Sequence, residues 1–216
     1  PSGTGRWSGP VTLPHSSVGP LLPEFMRRYP QVRVEMRVLN RPVDPVEEGV
    51  DVALRVRPTI EDTATLVARN FGDSRGILVA SPELLERQGP VSTPADLGQL
   101  DTVAMSTGDG RASFRLEGAG GKVIVHTHTP RYVADDLLTL KFAVVQGVGA
   151  SVLPDYMCRR EINAGKLVEV LPGWGPAPGI CHAVFPARRA LVPAVRRLID
   201  FLVENLDGAE PHRLAE

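Results

Sequence analysis

Residues 10–56 alternate strand and helix signals with a boundary residue at nearly every join, and that alternation confines the chain to an α/β fold. Val11 and Leu13 read as a strand ending at Pro14, followed by the polar loop His15-Ser16-Ser17. A serine in that loop is suited to cap the next helix through its side-chain oxygen. Leu22, Phe25, Met26 and Tyr29 recur at helical spacing as one apolar face, with Arg27 and Arg28 turned to water. Pro20 falls in the first turn, where its missing donor costs little; Pro23 is expected to kink the helix. Pro30 disfavours helical geometry at Tyr29 and ends the element. Val32, Val34, Met36 and Val38 alternate with Arg33, Glu35 and Arg37, the pattern of a strand with one wet face. Asp44-Pro45 and Gly49 frame a very short helix. Residues 50–56 are nearly all apolar, as expected of a strand buried on both faces of a parallel sheet.

The alternation continues downstream. Residues 77–80 form a short apolar strand, Ser81-Pro82 caps a helix, and Gly89 ends it. Thr93-Pro94 starts a second short helix carrying Leu97, and residues 102–105 read as a strand leading into the turn region 106–110. Val123 and Val125 lie in a further alternating strand, and Tyr132-Val133 in another. Asp135 or Asp136 caps a helix bearing Leu137, Leu138, Phe142 and Val145, which Gly147-Val148-Gly149 turns into a strand over 150–153. Asp155 opens the next helix and Gly165 closes it. Residues 167–170 read as a strand, 172–179 as a proline- and glycine-rich connection, and 182–185 as a last strand. An amphipathic helix with Val195, Leu198, Ile199 and Leu202 on one face follows, then a polar tail.

Composition narrows the function classes. With 216 residues, 43% of them hydrophobic, the chain can bury a core of one domain or two small lobes. A net charge of −1 and a pI of about 6.6 provide no basic field to attract nucleic acid to this chain. No run approaches transmembrane length and no charged-then-apolar signal segment opens the chain, so a cytoplasmic location is expected. Cys158 and Cys181 are too few for a disulfide framework and read as two ordinary thiols. No serine sits in a G-x-S-x-G elbow, and metal, P-loop and dinucleotide motifs are missing. His126 and His128 share one strand face, but a lone pair without a third ligand is surface polar sequence more often than a metal site. The expectation is therefore a binding module that is not an enzyme, with no metal and no cofactor.

The run LLPEFMRRYPQVRVEM followed by VDPVEEGVDVALRV closely resembles the effector-binding domain of LysR-type transcriptional regulators. The resemblance continues through ILVASPELLERQGPVSTPADL, VADDLLTLKFAVVQGVGASVLPDYM, INAGKLVEVLPGW and HAVFPARRALVPAVRRLIDFL, in the family's order, over residues 3–206. It implies two Rossmann-like α/β lobes joined by two crossing segments, a type 2 periplasmic-binding-protein-like fold. Residues 1–9 would be a linker remnant, 10–73 and 182–206 lobe I, 77–179 lobe II, and 207–216 a polar tail. The family's winged helix-turn-helix lies N-terminal to such a domain and does not match here. DNA is thus expected as a partner only through that missing part, and a homodimer or tetramer through this one. The runner-up is a solute-binding protein of similar two-lobe shape that delivers ligand to a transporter.

In open α/β sheets ligands bind beyond the carboxyl ends of strands, and a cleft between lobes sets two such edges opposite each other. His15, Ser16 and Ser17 follow the first strand, and their N–H groups and hydroxyls suit a carboxylate or similar acceptor. In relatives, positions matching Ser16 and Ser17 commonly contact the effector; capping is the competing role. Arg57 follows the third strand and can supply a charge-assisted pair, with a solvent-exposed loop arginine as the alternative. Ser106 and Thr107 follow the strand of the second lobe and are expected to face Ser16. Tyr132 and Phe185 are candidate apolar walls, with core packing as the competing role. Relatives often carry Asn-Asp where this chain has Asp135-Asp136. A carboxylate at Asp135 repels an anionic ligand unless protonated or paired, so either it only caps the helix or the ligand also offers donors.

Overall fold

The structure is a computed structural model that describes residues 2–9, 18–39, 43–60, 65–105, 108–188 and 192–206. The expected strand at Val11 and Leu13 lies outside those residues. Contacts divide the chain into two units, residues 1–74 with 179–216, and residues 75–178.

The first unit is built on a five-stranded sheet. Its strands are β1 (Gly3–Gly9), β2 (Val32–Val38), β3 (Val52–Arg57), β4 (Leu66–Ser74) and β12 (Gly179–Pro186), in the order β2-β1-β3-β12-β4. The pairs β1–β2 and β1–β3 are parallel, and β12 runs antiparallel to both β3 and β4. Residues 3–9 are thus a central strand and not the linker remnant expected. Three glycines and the polar Arg6 and Ser8 leave Trp7 as its one large apolar residue, so no alternating run betrays it. Trp7 is fully buried and lies opposite Met36 and Val52. The sheet around β3 is mixed, and Arg55 and Arg57 on its second face are not buried.

Helix α1 (Leu22–Arg28) follows a short 3-10 turn at Gly19–Leu21, and Pro23 falls in its first turn, so no kink arises there. Only Phe25 of α1 is fully inside, with its ring 5.4 Å from that of Phe201 and 4.9 Å from that of Tyr29. Met26, placed on the apolar face by its spacing, is 42% exposed. The second flank of this core is α5 (Pro193–Leu206), which buries Val195, Leu198, Ile199 and Leu202 as its periodicity predicts. Truncating such an aromatic or aliphatic side chain to Ala costs about 2–5 kcal/mol, because the transfer and cavity terms add. The short helix expected at Asp44–Gly49 is a single turn, in which Asp44 Oδ1 accepts from Val46 N (2.8 Å) and Glu47 N (3.2 Å).

The second unit holds a three-stranded sheet, β10-β5-β11, made from β5 (Gly76–Ala80), β10 (Ser151–Pro154) and β11 (Val168–Glu169). Leu78 and Ala80 pack into one cluster and Val79 into another, so β5 is buried on both faces. A parallel pair, β6 (Val103–Met105) with β9 (Tyr132–Ala134), joins β10 through the bridge Thr102–Ala150. The remaining pair is an antiparallel ribbon of β7 (Ala112–Glu117) and β8 (Val123–His128). Three helices cover these strands: α2 (Pro82–Gln88), α3 (Leu137–Val145) and α4 (Asp155–Asn163). Ser81 Oγ caps α2 by accepting from Leu84 N at 3.1 Å, and Gly89 ends it at φ +99°. The Thr93-Pro94 segment is a 3-10 turn, closed by a reciprocal Thr93/Asp96 box. Helix α3 buries Leu140 and Val144, while Phe142 is 67% exposed.

Candidate ligand site

Two of the seven expected contact residues fall among the described residues. His15, Ser16, Ser17, Ser106 and Thr107 lie outside them. Arg57 ends β3 in the first unit, exposed, in register with Ile180. Behind it on the same sheet face sit Arg55, whose Nη2 donates to the Val43 carbonyl at 2.7 Å, and the buried His182. His182 Nδ1 donates to the Ile180 carbonyl at 2.9 Å. Burial holds this imidazole below its usual pKa; the Ile180 carbonyl pulls the other way, and Arg55 and Arg57 reinforce the depression. Phe185 packs in the core, whereas Tyr132 is exposed.

Asp135 and Asp136, left open as caps, now separate. Asp136 is the N-cap of α3, and its Oδ2 accepts from Thr139 N at 2.7 Å and Thr139 Oγ1 at 2.6 Å. Asp135 is exposed in the bend before it. The steric reason is local: only the residue immediately preceding the first helical turn has the extended backbone that aims a carboxylate at the N3 amide.

Within the second unit, a cavity of about 220 Å³ opens beside the carboxyl end of β6 and the first turn of α3. Its described walls are Ala104, Met105, Ala112, Ser113, Phe114, Leu137, Leu140, Ser151 and Val152. This is the strand-end position where open α/β sheets take ligands. Sequence reading assigned Met105 to a strand end and Leu137 to a helix, but missed Phe114 and Ser113 altogether, because β7 was not recognised. The alternation Phe114, Leu116 against Ser113, Arg115, Glu117 is the signal that identifies it.

The Phe114 ring packs against two histidines. Its ring centroid lies 4.2 Å from that of His128, and His126 stacks on His128 at 5.6 Å with 14° between the planes. Thr102 Oγ1 and His128 Nδ1 share a hydrogen bond of 2.6 Å. Desolvation, then the neighbouring His126, push the His128 pKa down to about 4. The two histidines therefore brace an aromatic wall, and no group of three or more His, Cys, Asp or Glu gathers around a metal-sized space among the described residues. Cys158 and Cys181 are free thiols, and burial pushes each up to about 12. No helix among the described residues is long and apolar enough to cross a membrane.

Comparison with known proteins agrees with this architecture. The family model described as the LysR substrate binding domain matches residues 1–207. PtxR of Pseudomonas aeruginosa, an HTH-type transcriptional regulator, is 32% identical over 216 residues, all of this chain and 68% of PtxR. An HTH-type regulator of Xanthomonas campestris is 31% identical, and the chain spans 63% of its length. Among solved structures, the regulatory domain of AphB from Vibrio vulnificus aligns with a TM-score of 0.81 at 28% identity, covering 94% of this chain and 99% of that one. The regulatory domain of CrgA from Neisseria meningitidis aligns at 0.81 and 26%, covering 95% and 100%. These are bacterial transcriptional regulators, and the fold shared with their regulatory domains is the type 2 periplasmic-binding-protein-like one. The chain belongs to the LysR substrate-binding-domain family and is the effector-binding domain of a LysR-type regulator.

Proposed function

We propose that this chain senses a small-molecule effector in the inter-lobe cleft implied by its family resemblance, and that binding alters the geometry of a DNA-binding dimer or tetramer in the cytoplasm. The observation that carries the reading is the match to the LysR substrate binding domain over residues 1–207, and the cavity at the carboxyl end of β6 adds a strand-end ligand space within the second unit. DNA contact belongs to an N-terminal helix-turn-helix outside this sequence. A solute receptor of similar shape is disfavoured because the relatives that match this chain bear regulator names.

Helix α3 supports the assembly part of the proposal. Its sequence LLTLKFAVV is apolar nearly all round, yet only Leu140 and Val144 are fully buried. A helix of that composition ordinarily has both faces covered. The proposed contact sets α3 of one subunit against α1 and β2 of its partner, and antiparallel pairing then makes two identical interfaces. Effector must favour one assembly geometry over the other, since equal affinity for both shifts nothing.

The test is a thermal-shift screen of small carboxylates and neutral metabolites against the 216-residue chain, repeated on the Ser16→Ala, Ser17→Ala double variant. Binding to the folded state raises the melting temperature, and the shift grows with the logarithm of ligand concentration above Kd. The expected result is a hit whose shift shrinks in the double variant; shifts unchanged by that variant refute the role of the 15–17 loop.

A further inference from the structure

The cavity of the second unit has a chemistry more specific than its position. None of its described walls carries an ionisable side chain. Leu140 and Phe114 are buried walls, while Met105 and Leu137 are partly exposed. The N-terminus of α3, which would otherwise favour an anion, is already occupied by the Asp136 carboxylate. His128 packs against the Phe114 ring, is not one of the described cavity walls, and has its Nδ1 engaged by Thr102. A carboxylate placed against these described walls finds no cation to pair with.

Two hydroxyls line the cavity, and they differ. Ser113 Oγ is already bonded to Thr127 Oγ1 at 3.0 Å across the β7–β8 ribbon. Ser151 is 97% buried, at 3% exposure, and its hydroxyl makes no side-chain hydrogen bond among the described residues. Its oxygen is not sealed off in the interior, so it is open to the cavity that Ser151 lines and can bond whatever occupies that space. An apolar cavity of roughly 150 Å³ holds a benzene ring. The volume here, about 220 Å³, therefore leaves room for a ring and a small substituent.

We propose that this cavity binds an uncharged, compact alcohol or phenol, with a single ring or similarly sized apolar body against Phe114 and Leu140 and its hydroxyl bonded to Ser151. The inference rests on the ligand-sensing reading above and specifies its ligand class. Apolar burial supplies the affinity, and the Ser151 bond sets orientation. Acids of the same shape are rejected by the missing counter-charge.

The experiment measures concentration-dependent melting shifts of the 216-residue chain, and the affinities they give, with phenol, benzyl alcohol and cyclohexanol, against benzoate, phenylacetate and cyclohexanecarboxylate. The neutral set is expected to bind at least tenfold more tightly than the acids. Ser151→Ala should weaken the neutral set about fivefold, the equivalent of one ordinary hydrogen bond. Ala104→Leu, which fills the cavity, should abolish binding, and Ser151→Ala keeps the test decisive if that larger residue prevents folding. Acids binding as tightly as alcohols, or alcohol binding indifferent to both variants, overturns the proposal. A screen in which only other ligands shift the melt overturns this assignment and leaves ligand sensing standing. A screen in which nothing shifts it overturns both.

Discussion

Thr102 Oγ1 and His128 Nδ1, 2.6 Å apart, tie the β7–β8 ribbon to the strand entering β6. The bond closes a stack in which His126, His128 and Phe114 lie against one another. An aromatic cavity wall is thereby held by a neutral imidazole, and that neutrality has a pH consequence.

Folded His128, at about 4, binds its proton more weakly than an unfolded histidine near 6.5. Between those values the unfolded state takes up the proton first, so stability falls as pH drops from 6.5 to 4 and levels off below. The loss is about 1–2 kcal/mol once solvent screening of a partly exposed ring is allowed for. Urea titrations at pH 7 and pH 4.5 check it. His128→Gln should flatten part of the slope and leave a remainder, since His182 is depressed in the same direction.

Gly149 passes directly over the backbone of Thr102. A Cβ there would sit 2.7 Å from the Thr102 carbonyl carbon and 2.9 Å from its Cα. Gly149→Ala should therefore destabilise by about 1–3 kcal/mol, because backbone must move. Gly98→Ala meets nothing within 4 Å and should stay within about 0.5 kcal/mol. Denaturant midpoints of the two variants distinguish a close approach from a general glycine effect.

The adjacent aspartates make a matched pair for mutation. Asp136→Ala removes the α3 cap and should cost about 1 kcal/mol. Asp135→Ala removes an exposed side chain and should change stability by less than about 0.5 kcal/mol. The difference is read from chemical denaturation at neutral pH.

Phe142→Glu tests assembly. The residue is 67% exposed, so the folded chain should melt within a few degrees of the parent. In the proposed assembly, sedimentation velocity should show this variant shifting from dimer to monomer; an unchanged coefficient removes α3 from the proposed interface.

Both thiols should resist labelling. With Cys158 and Cys181 pushed up to about 12, almost no thiolate exists at pH 7.5. Reaction with a thiol-specific reagent is expected to be slow in the native chain and complete in urea.

Where local chemistry repeats with a period, the chain was legible. Residues 32–38, the Ser81 and Gly89 boundaries of α2, and the apolar face of α5 all lie where spacing and caps put them. Strand β1 was illegible because glycines, Arg6 and Ser8 surround its lone large apolar residue, Trp7, whose partners Met36 and Val52 lie far along the chain. Met26 was misplaced for a related reason. Helical periodicity says which residues share a stripe, but not how wide a stripe the neighbours cover. Of the candidate site, the 15–17 and 106–107 loops remain sequence expectations, Arg57 is a solvent-facing strand end, and Asp135 yields the cap to Asp136.

By itself the sequence determined the α/β class, the order of most elements and the family, because caps, prolines and apolar periods act over a few residues and survive without tertiary context. Only the tertiary structure decided that Phe114, Leu140 and Ser151, distant along the chain, line one cavity without an ionisable wall. Only it showed that two histidines serve as a brace. Such convergence depends on strand pairing and packing between remote segments, which no local period encodes.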